Sequence, residues 1–172
     1  MVSSLPANFF KSVQTKIETE LLVIGYGNSL RRDDGVGPRV AEAIEALQLP
    51  GVRTLNCQLL TPEFADQVAR ARKVIFVDAA VDRIDGVHFR KLEPGQTSQL
   101  MAHAADPRTL LALARDVFGH APTAWWLTVP AINMGFGTDY SPAAERGFHT
   151  AVKEIKKLVA ANFRKDTLPA VG

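Results

Sequence analysis

Leu21-Leu22-Val23-Ile24-Gly25-Tyr26-Gly27-Asn28-Ser29-Leu30-Arg31-Arg32-Asp33-Asp34-Gly35-Val36-Gly37-Pro38 is the stretch around which the rest of the chain is organised. It opens as an apolar run of strand length and turns through Gly25, Gly27 and Asn28. It then presents two adjacent carboxylates and enters a pattern in which Val36, Val40, Ile44 and Leu47 recur at helical spacing. Pro38 fits a first helical turn. A strand feeding a loop and then a helix is the unit of open α/β sheets, which bind ligands at the carboxyl ends of their strands.

The same alternation continues downstream. Val52–Cys57 reads as a second strand, and Pro62 opens a helix through Arg70 with Phe64 and Val68 on one face. Val74–Val77 is a third strand ending at Asp78, and Val87–Leu92 alternates as an edge strand does. Asp106-Pro107 starts a helix carrying Leu110, Leu111, Leu113 and Val117, which Gly119 is placed to stop. Trp125–Val129 is a further strand. Ser141-Pro142 opens a last helix with Phe148, Val152, Ile155 and Val159 along one side. The expected fold is α/β: one three-layer αβα domain with a mostly parallel, twisted sheet of about five strands. Residues 1–19 read as an N-terminal arm docked by Phe9, Phe10 and Val13. Residues 20–162 form the core and 163–172 a flexible tail. Right-handed crossovers would set the Asp34 loop, the Asn56-Cys57-Gln58 segment and Asp78 on one rim.

Composition narrows the class. At 172 residues one domain is the default, and 47% hydrophobic with 22% charged residues is ordinary for a globular protein. Lys plus Arg number 20 against 18 Asp plus Glu, and no basic block is dense enough to imply nucleic acid. The apolar runs are strand-sized, so no membrane span is expected. The N-terminus lacks the charged start and continuous apolar core of a signal peptide, and a single cysteine allows no internal disulfide. Both features favour a reducing cytoplasm. There is no internal repeat and no low-complexity segment.

The first loop is a poor phosphate cradle. Gly25-x-Gly27 begins like a dinucleotide fingerprint, but the third glycine position is Leu30, and no G-K-[ST] follows. Asp33 and Asp34 would repel a pyrophosphate. Two readings of the pair remain: one acid caps the following helix, or the pair supplies hard oxygen donors to a divalent ion. His103, just ahead of the Asp106-Pro107 helix, is a cap or surface residue on its own and a metal ligand in company. Asp78 braces its loop on the simplest reading. Cys57 reads as a small buried residue rather than a thiolate nucleophile. His88, His120 and His149 read as structural or solvated. Neither a Gly-x-Ser-x-Gly elbow nor a His-Glu-x-x-His helix occurs, so standard peptidase machinery is absent.

The whole loop, Gly-x-Gly-Asn-x-Leu-x-x-Asp-Asp-Gly-x-Gly, resembles the signature of the [NiFe]-hydrogenase maturation proteases. These endopeptidases trim the C-terminus of the hydrogenase large subunit after nickel insertion. His103 followed by Leu110-Leu111, the Val77-Asp78-Ala79 segment, and Leu127-Thr128-Val129-Pro130 with Gly135-Phe136 and Ser141-Pro142 are similar to further family segments. The likeness thus spans about residues 21 to 160. It implies that Asp34 and His103 are catalytic and contact the metal. It also implies a third ligand at the end of the second strand, where the family's Asp is replaced. Asn56, Cys57 or Gln58 must stand in its place, with Asn56 and Gln58 the candidates taken, and Gln58-Leu59-x-x-Pro62-Glu63 looks like a variant found in part of the family. Glu63 is the nearest carboxylate, though its place at a helix start suits electrostatic support.

The resemblance therefore implies a cytoplasmic, monomeric endopeptidase, aspartyl-type or metal-dependent, acting on the [NiFe]-hydrogenase large-subunit precursor. The nickel would be supplied by the substrate, with zinc or cadmium as a surrogate in isolated protein. The rival is a non-catalytic binding module, either nucleotide-binding or a chaperone for the immature subunit.

Overall fold

The computed structural model describes residues 15–82, 85–96 and 106–161. The strands are β1 (Thr19–Tyr26), β2 (Val52–Cys57), β3 (Ala71–Ala80), β4 (His88–Leu92) and β5 (Thr123–Pro130). The helices are α1 (Val36–Ala46), α2 (Ala65–Ala69), α3 (Pro107–Phe118) and α4 (Pro142–Ala160), with 3-10 turns at Arg32–Gly35 and Pro62–Phe64. The sheet runs in the order β2-β1-β3-β5-β4. β1 pairs in parallel with β2 and β3, β3 pairs in parallel with β5, and only β4 is antiparallel, on the edge beside β5. The expected α/β architecture and its mostly parallel five-stranded sheet are present.

β1 and β3 are inner strands covered on both faces, which is why their sequences are near-continuous apolar runs. Leu22, Ile24, Tyr26, Val74 and Phe76 face Val68, Leu110, Leu111 and Ala114 of α2 and α3. Leu21, Val23, Ile75, Val77, Trp125 and Leu127 face Val36, Val40, Ile44, Ala151 and Ile155 of α1 and α4. Burying a side chain such as Phe76 fully contributes roughly 1.5–3 kcal/mol, so these two layers hold the domain together.

Three local expectations are refined. β3 is longer than its apolar run, because pairing continues through Asp78↔Thr128, Ala79↔Val129 and Ala80↔Pro130, so Asp78 lies within the strand rather than at its end. The helix expected from Pro62 divides into a 3-10 turn and the short α2. α1 has Gly35 at its N-cap with no side-chain cap, so neither Asp33 nor Asp34 caps it. The α3 and α4 caps follow the sequence. Asp106 accepts the Arg108 N–H at 2.8 Å, Ser141 accepts the Ala144 N–H at 3.2 Å, and Gly119 closes α3 with φ 74°.

This connectivity sets the site. From β1 the chain crosses by α1, on one face, to β2. It then crosses by α2, on the other face, to β3 on the opposite side of β1. The crevice outside the carboxyl ends of β1 and β3 is therefore the topological switch point, where open α/β sheets hold their ligands. Close backbone approach is needed here. A Cβ on Gly37 would lie 2.4 Å from the Tyr26 carbonyl oxygen and 2.5 Å from that of Val77, so glycine lets α1 start against both strands. Among the described residues no helix is long and apolar enough to cross a membrane.

Candidate functional site

Asp33 and Asp34 are neighbours in sequence and part company in space. Asp33 is 0% exposed. One of its oxygens accepts the N–H groups of Ile132 and Asn133 at 2.8 and 2.9 Å, and the other accepts that of Ser141 at 2.7 Å. Burial alone would push its carboxyl up, but the bonds from Asn133, Ser141 and Ile132 outweigh it and hold the group below the usual carboxylate range. Asp33 is a staple joining the first loop to the β5–α4 loop and to the start of α4. The same loops also pair main chain to main chain, Arg32 N–H to Gly137 O and Gly137 N–H to Leu30 O, both at 2.9 Å.

Asp34 turns to the crevice. It is half-buried, and one oxygen accepts the Asn28 N–H at 3.0 Å. Gly27 makes this possible. Its φ is 138°, and a Cβ there would lie 2.0 Å from the Asp34 carbonyl oxygen. The glycines of the motif thus serve close packing around an acid, not around a phosphate.

The carboxylate that shares the Asp34 field is Asp78. Its side chain accepts the Ala79 N–H at 2.8 Å. Burial pushes its carboxyl up to about 6, and the negative charge of Asp34 adds to that rise. The Tyr26 hydroxyl is buried beside Asp78. Its pKa is raised far above the ordinary phenol, first by burial and then by the Asp78 charge, with a further contribution from Asp106 at the start of α3. The Tyr26 hydroxyl and Trp126 Nε1 are both buried without a partner of good hydrogen-bond geometry among the described residues. Unsatisfied buried polar atoms around a carboxyl with a raised pKa mark a functional site more often than a structural one.

The second-strand candidates lie on the β2 side of the same loop. Asn56 is exposed and its amide donates to Glu42 at 3.0 Å. Gln58 is exposed as well, and both line an open hollow of about 290 Å³ with Cys57, Asn28 and Leu30, on the β2 side of the loop. The bond to Glu42 uses the Asn56 N–H, whereas a metal would take the amide oxygen. Asp34 and Asp78 are the carboxylates whose charges interact. Glu63 is exposed, and a hydrogen bond from the Thr61 hydroxyl lowers its pKa, as suits a residue at a helix start. His103 lies outside the described residues, as do Phe9, Phe10 and Val13.

Cys57 is half-buried, and burial pushes its thiol up to about 11, which keeps it protonated at neutral pH. His88 lies 2.8 Å from Asp85, and His120 Nε2 lies 3.2 Å from the Ala71 carbonyl oxygen. His149 is exposed beside Glu145. Their contacts are with Asp85, Ala71 and Glu145, not with Asp34 or Asp78. Among the described residues no three His, Cys, Asp or Glu side chains are grouped to hold a metal. Asp34 and Asp78 are two hard oxygen donors at one crevice, which suits sharing a divalent ion with a third ligand. The signal for Asp78 was present in the sequence as a lone acid after the apolar run Val74–Val77. What hid it was that a strand-end acid braces loops just as well.

No protein-family model and no curated protein matches this sequence. Solved structures do. A hydrogenase 2 maturation peptidase from a Thaumarchaeota archaeon superposes with a TM-score of 0.60 at 25% identity, over 85% of this chain and 100% of that one. The [NiFe] hydrogenase maturation protease HycI from Thermococcus kodakarensis gives 0.66 at 21% identity, over 83% and 93%. The hydrogenase maturating endopeptidase HybD from E. coli gives 0.62 at 21% identity, over 83% and 94%. The chain has the fold of the hydrogenase maturation proteases.

Proposed function

We propose that this protein is an endopeptidase that removes the C-terminal extension of a [NiFe]-hydrogenase large-subunit precursor after nickel has been inserted. The observation that carries this reading is the Asp34–Asp78 pair at the β1–β3 switch point. The fold shared with maturation peptidases, and the loop motif read from the sequence, support it. The nickel belongs to the precursor and is part of the substrate. Asp34, Asp78 and His103 are the residues proposed to face it. His103 stands three positions before Asp106, whose charge reaches Tyr26 in the same cluster.

The chain's own contribution is to position and to exclude. The Asn28 N–H orients Asp34. Burial raises the Asp78 carboxyl to about 6 before the precursor binds, and a divalent ion facing it would favour the ionised, ligating form. A divalent ion beside the scissile carbonyl polarises it or lowers the pKa of water. Zinc or cadmium in isolated protein would occupy the same oxygen and imidazole donors as a surrogate. The enzyme is proposed to act as a monomer in the cytoplasm.

The test is intact-mass analysis of nickel-loaded and nickel-free precursor before and after incubation. Loss of one discrete C-terminal peptide, only with nickel, is the expected result. Asp34→Ala and His103→Ala should stop it while leaving the fold intact. Unchanged mass with a stable complex would favour a chaperone instead.

A further inference from the structure

The described residues carry seven large apolar side chains that face solvent. Five of them, Leu30, Leu59, Val81, Ile132 and Phe136, lie in loops leaving the carboxyl ends of β1, β2, β3 and β5. Phe136 is 84% exposed. Scattered exposed apolar residues need no explanation, but a concentration around one crevice marks an interaction surface.

Leu30, Ile132 and Phe136 stand on braced backbone. Asp33 holds the Ile132 and Asn133 N–H groups, Arg32 Nε donates to the Phe136 carbonyl at 3.0 Å, and Asn133 Oδ1 accepts the Gly135 N–H at 3.0 Å. The frame fixes the backbone from which these side chains project, so the surface is largely formed before any partner arrives. Preorganisation of this kind reduces the ordering entropy lost on binding.

Arg31 lies within the same platform. Its Nε donates to the Met134 carbonyl at 3.1 Å, and among the described residues it has no carboxylate partner, whereas Arg32 is paired with Asp139. Its remaining guanidinium N–H groups suit a fork to a carboxylate. Leu30 and Arg31 precede Asp34 in one loop, so the platform is continuous with the acidic crevice.

We propose that Leu30, Arg31, Ile132 and Phe136 dock the extended precursor segment flanking the scissile bond, which presents apolar side chains to the three hydrophobes and a carboxylate to Arg31. This rests on the proteolytic reading above. Charge sets the direction of the peptide. Asp34 and Asp78 repel a carboxylate, so the acidic end lies over Arg31 and the neutral scissile region over the acids.

The experiment uses the full chain, Phe136→Ala, Arg31→Glu and the off-rim control Val117→Ala, with thermal unfolding confirming that each folds. Cleavage of nickel-loaded precursor is followed by intact mass, and binding to the same precursor by interferometry. KM should rise about tenfold in the two platform variants with kcat within about twofold, and should not change in the control. If the wild type cuts and KM is unchanged in both variants, the dock is overturned and the protease stands. If the wild type binds without cutting, and binding depends on Phe136 and Arg31, the protease falls and takes the scissile-bond assignment with it, leaving only a precursor-binding surface. Absence of both cutting and binding overturns both. A dimer in sedimentation that Phe136→Ala dissolves assigns the patch to a second copy and overturns the dock.

Discussion

Asp33 and Asp78 are two carboxylates withdrawn from water, and the chain treats them in opposite ways. Around Asp33 it brings three backbone N–H groups to a side chain that is 0% exposed, and the acid stays ionised. Around Asp78 it brings one N–H group, a second acid within its field, and a buried tyrosine hydroxyl without good hydrogen-bond geometry. Asp33 is fully buried and Asp78 partly so, yet it is Asp78 whose pKa rises, so the N–H groups and charges around each acid decide its role. A satisfied acid holds loops together. An acid given one N–H and a second negative charge costs stability when ionised and is retained where chemistry needs it.

The two acids should also answer pH in opposite senses. The pKa of Asp33 is lower folded than unfolded, so its stabilisation is complete above the unfolded value of 3.8 and is lost as pH falls through the folded value. The folded pKa of Asp78 lies near 6 against 3.8 unfolded, so its protonated form favours folding at low pH, and that contribution is lost as pH rises through about 6.

Four substitutions break or sharpen this contrast. The largest effect is on activity: Asp34→Ala should lower the rate of precursor processing about a thousandfold or more with an unchanged unfolding curve. Normal trimming by that variant would remove the crevice from the chemistry. Next, Asp33→Ala strands three buried donors and should reduce stability by roughly 3 kcal/mol in chemical denaturation. A loss below about 0.5 kcal/mol would show that the staple is not carried by this carboxylate.

Asp78→Asn should do the reverse. At pH 8 it removes the penalty of ionising a buried acid, so stability should rise by about 1–2 kcal/mol while processing falls. The slope of stability between pH 4 and about 6.5 should also flatten, as read from melting temperatures across that range. An Asp78→Asn protein that is less stable at pH 8 would make the carboxylate a brace after all. The smallest effect belongs to Asn56→Ala, which loses one exposed bond to Glu42. It should change stability by less than about 0.5 kcal/mol and processing by less than about twofold. A hundredfold loss of processing would return the third ligand position to the end of β2.

The fold was largely legible because its signals are local. The apolar runs at Leu21–Tyr26 and Val74–Val77, the Asp106 and Ser141 caps, and the Gly119 stop each depend on residues a few positions apart. The site was legible only in part. Asp34 stands out in its motif, but capping by either acid was an equally good local reading, and the structure shows neither capping α1. Asn56 and Gln58 came from the family's ligand position at the end of the second strand. Position does not reveal that the Asn56 amide donates to Glu42 on α1.

What the sequence by itself determined is the order of strands and helices and the acid-bearing loop after the first strand, since periodicity, caps and turns are properties of neighbouring residues. What only tertiary structure decided is which acid does what. The partners of Asp33 lie 99 to 108 residues away, across the sheet, in the loop after β5 and at the start of α4. Asp78 acquires its environment from Tyr26 and Asp34, which reach it only because β1 and β3 pair side by side. A carboxyl's pKa depends on the N–H groups and charges around it in space, and those are set by the pairing of strands far apart in the chain.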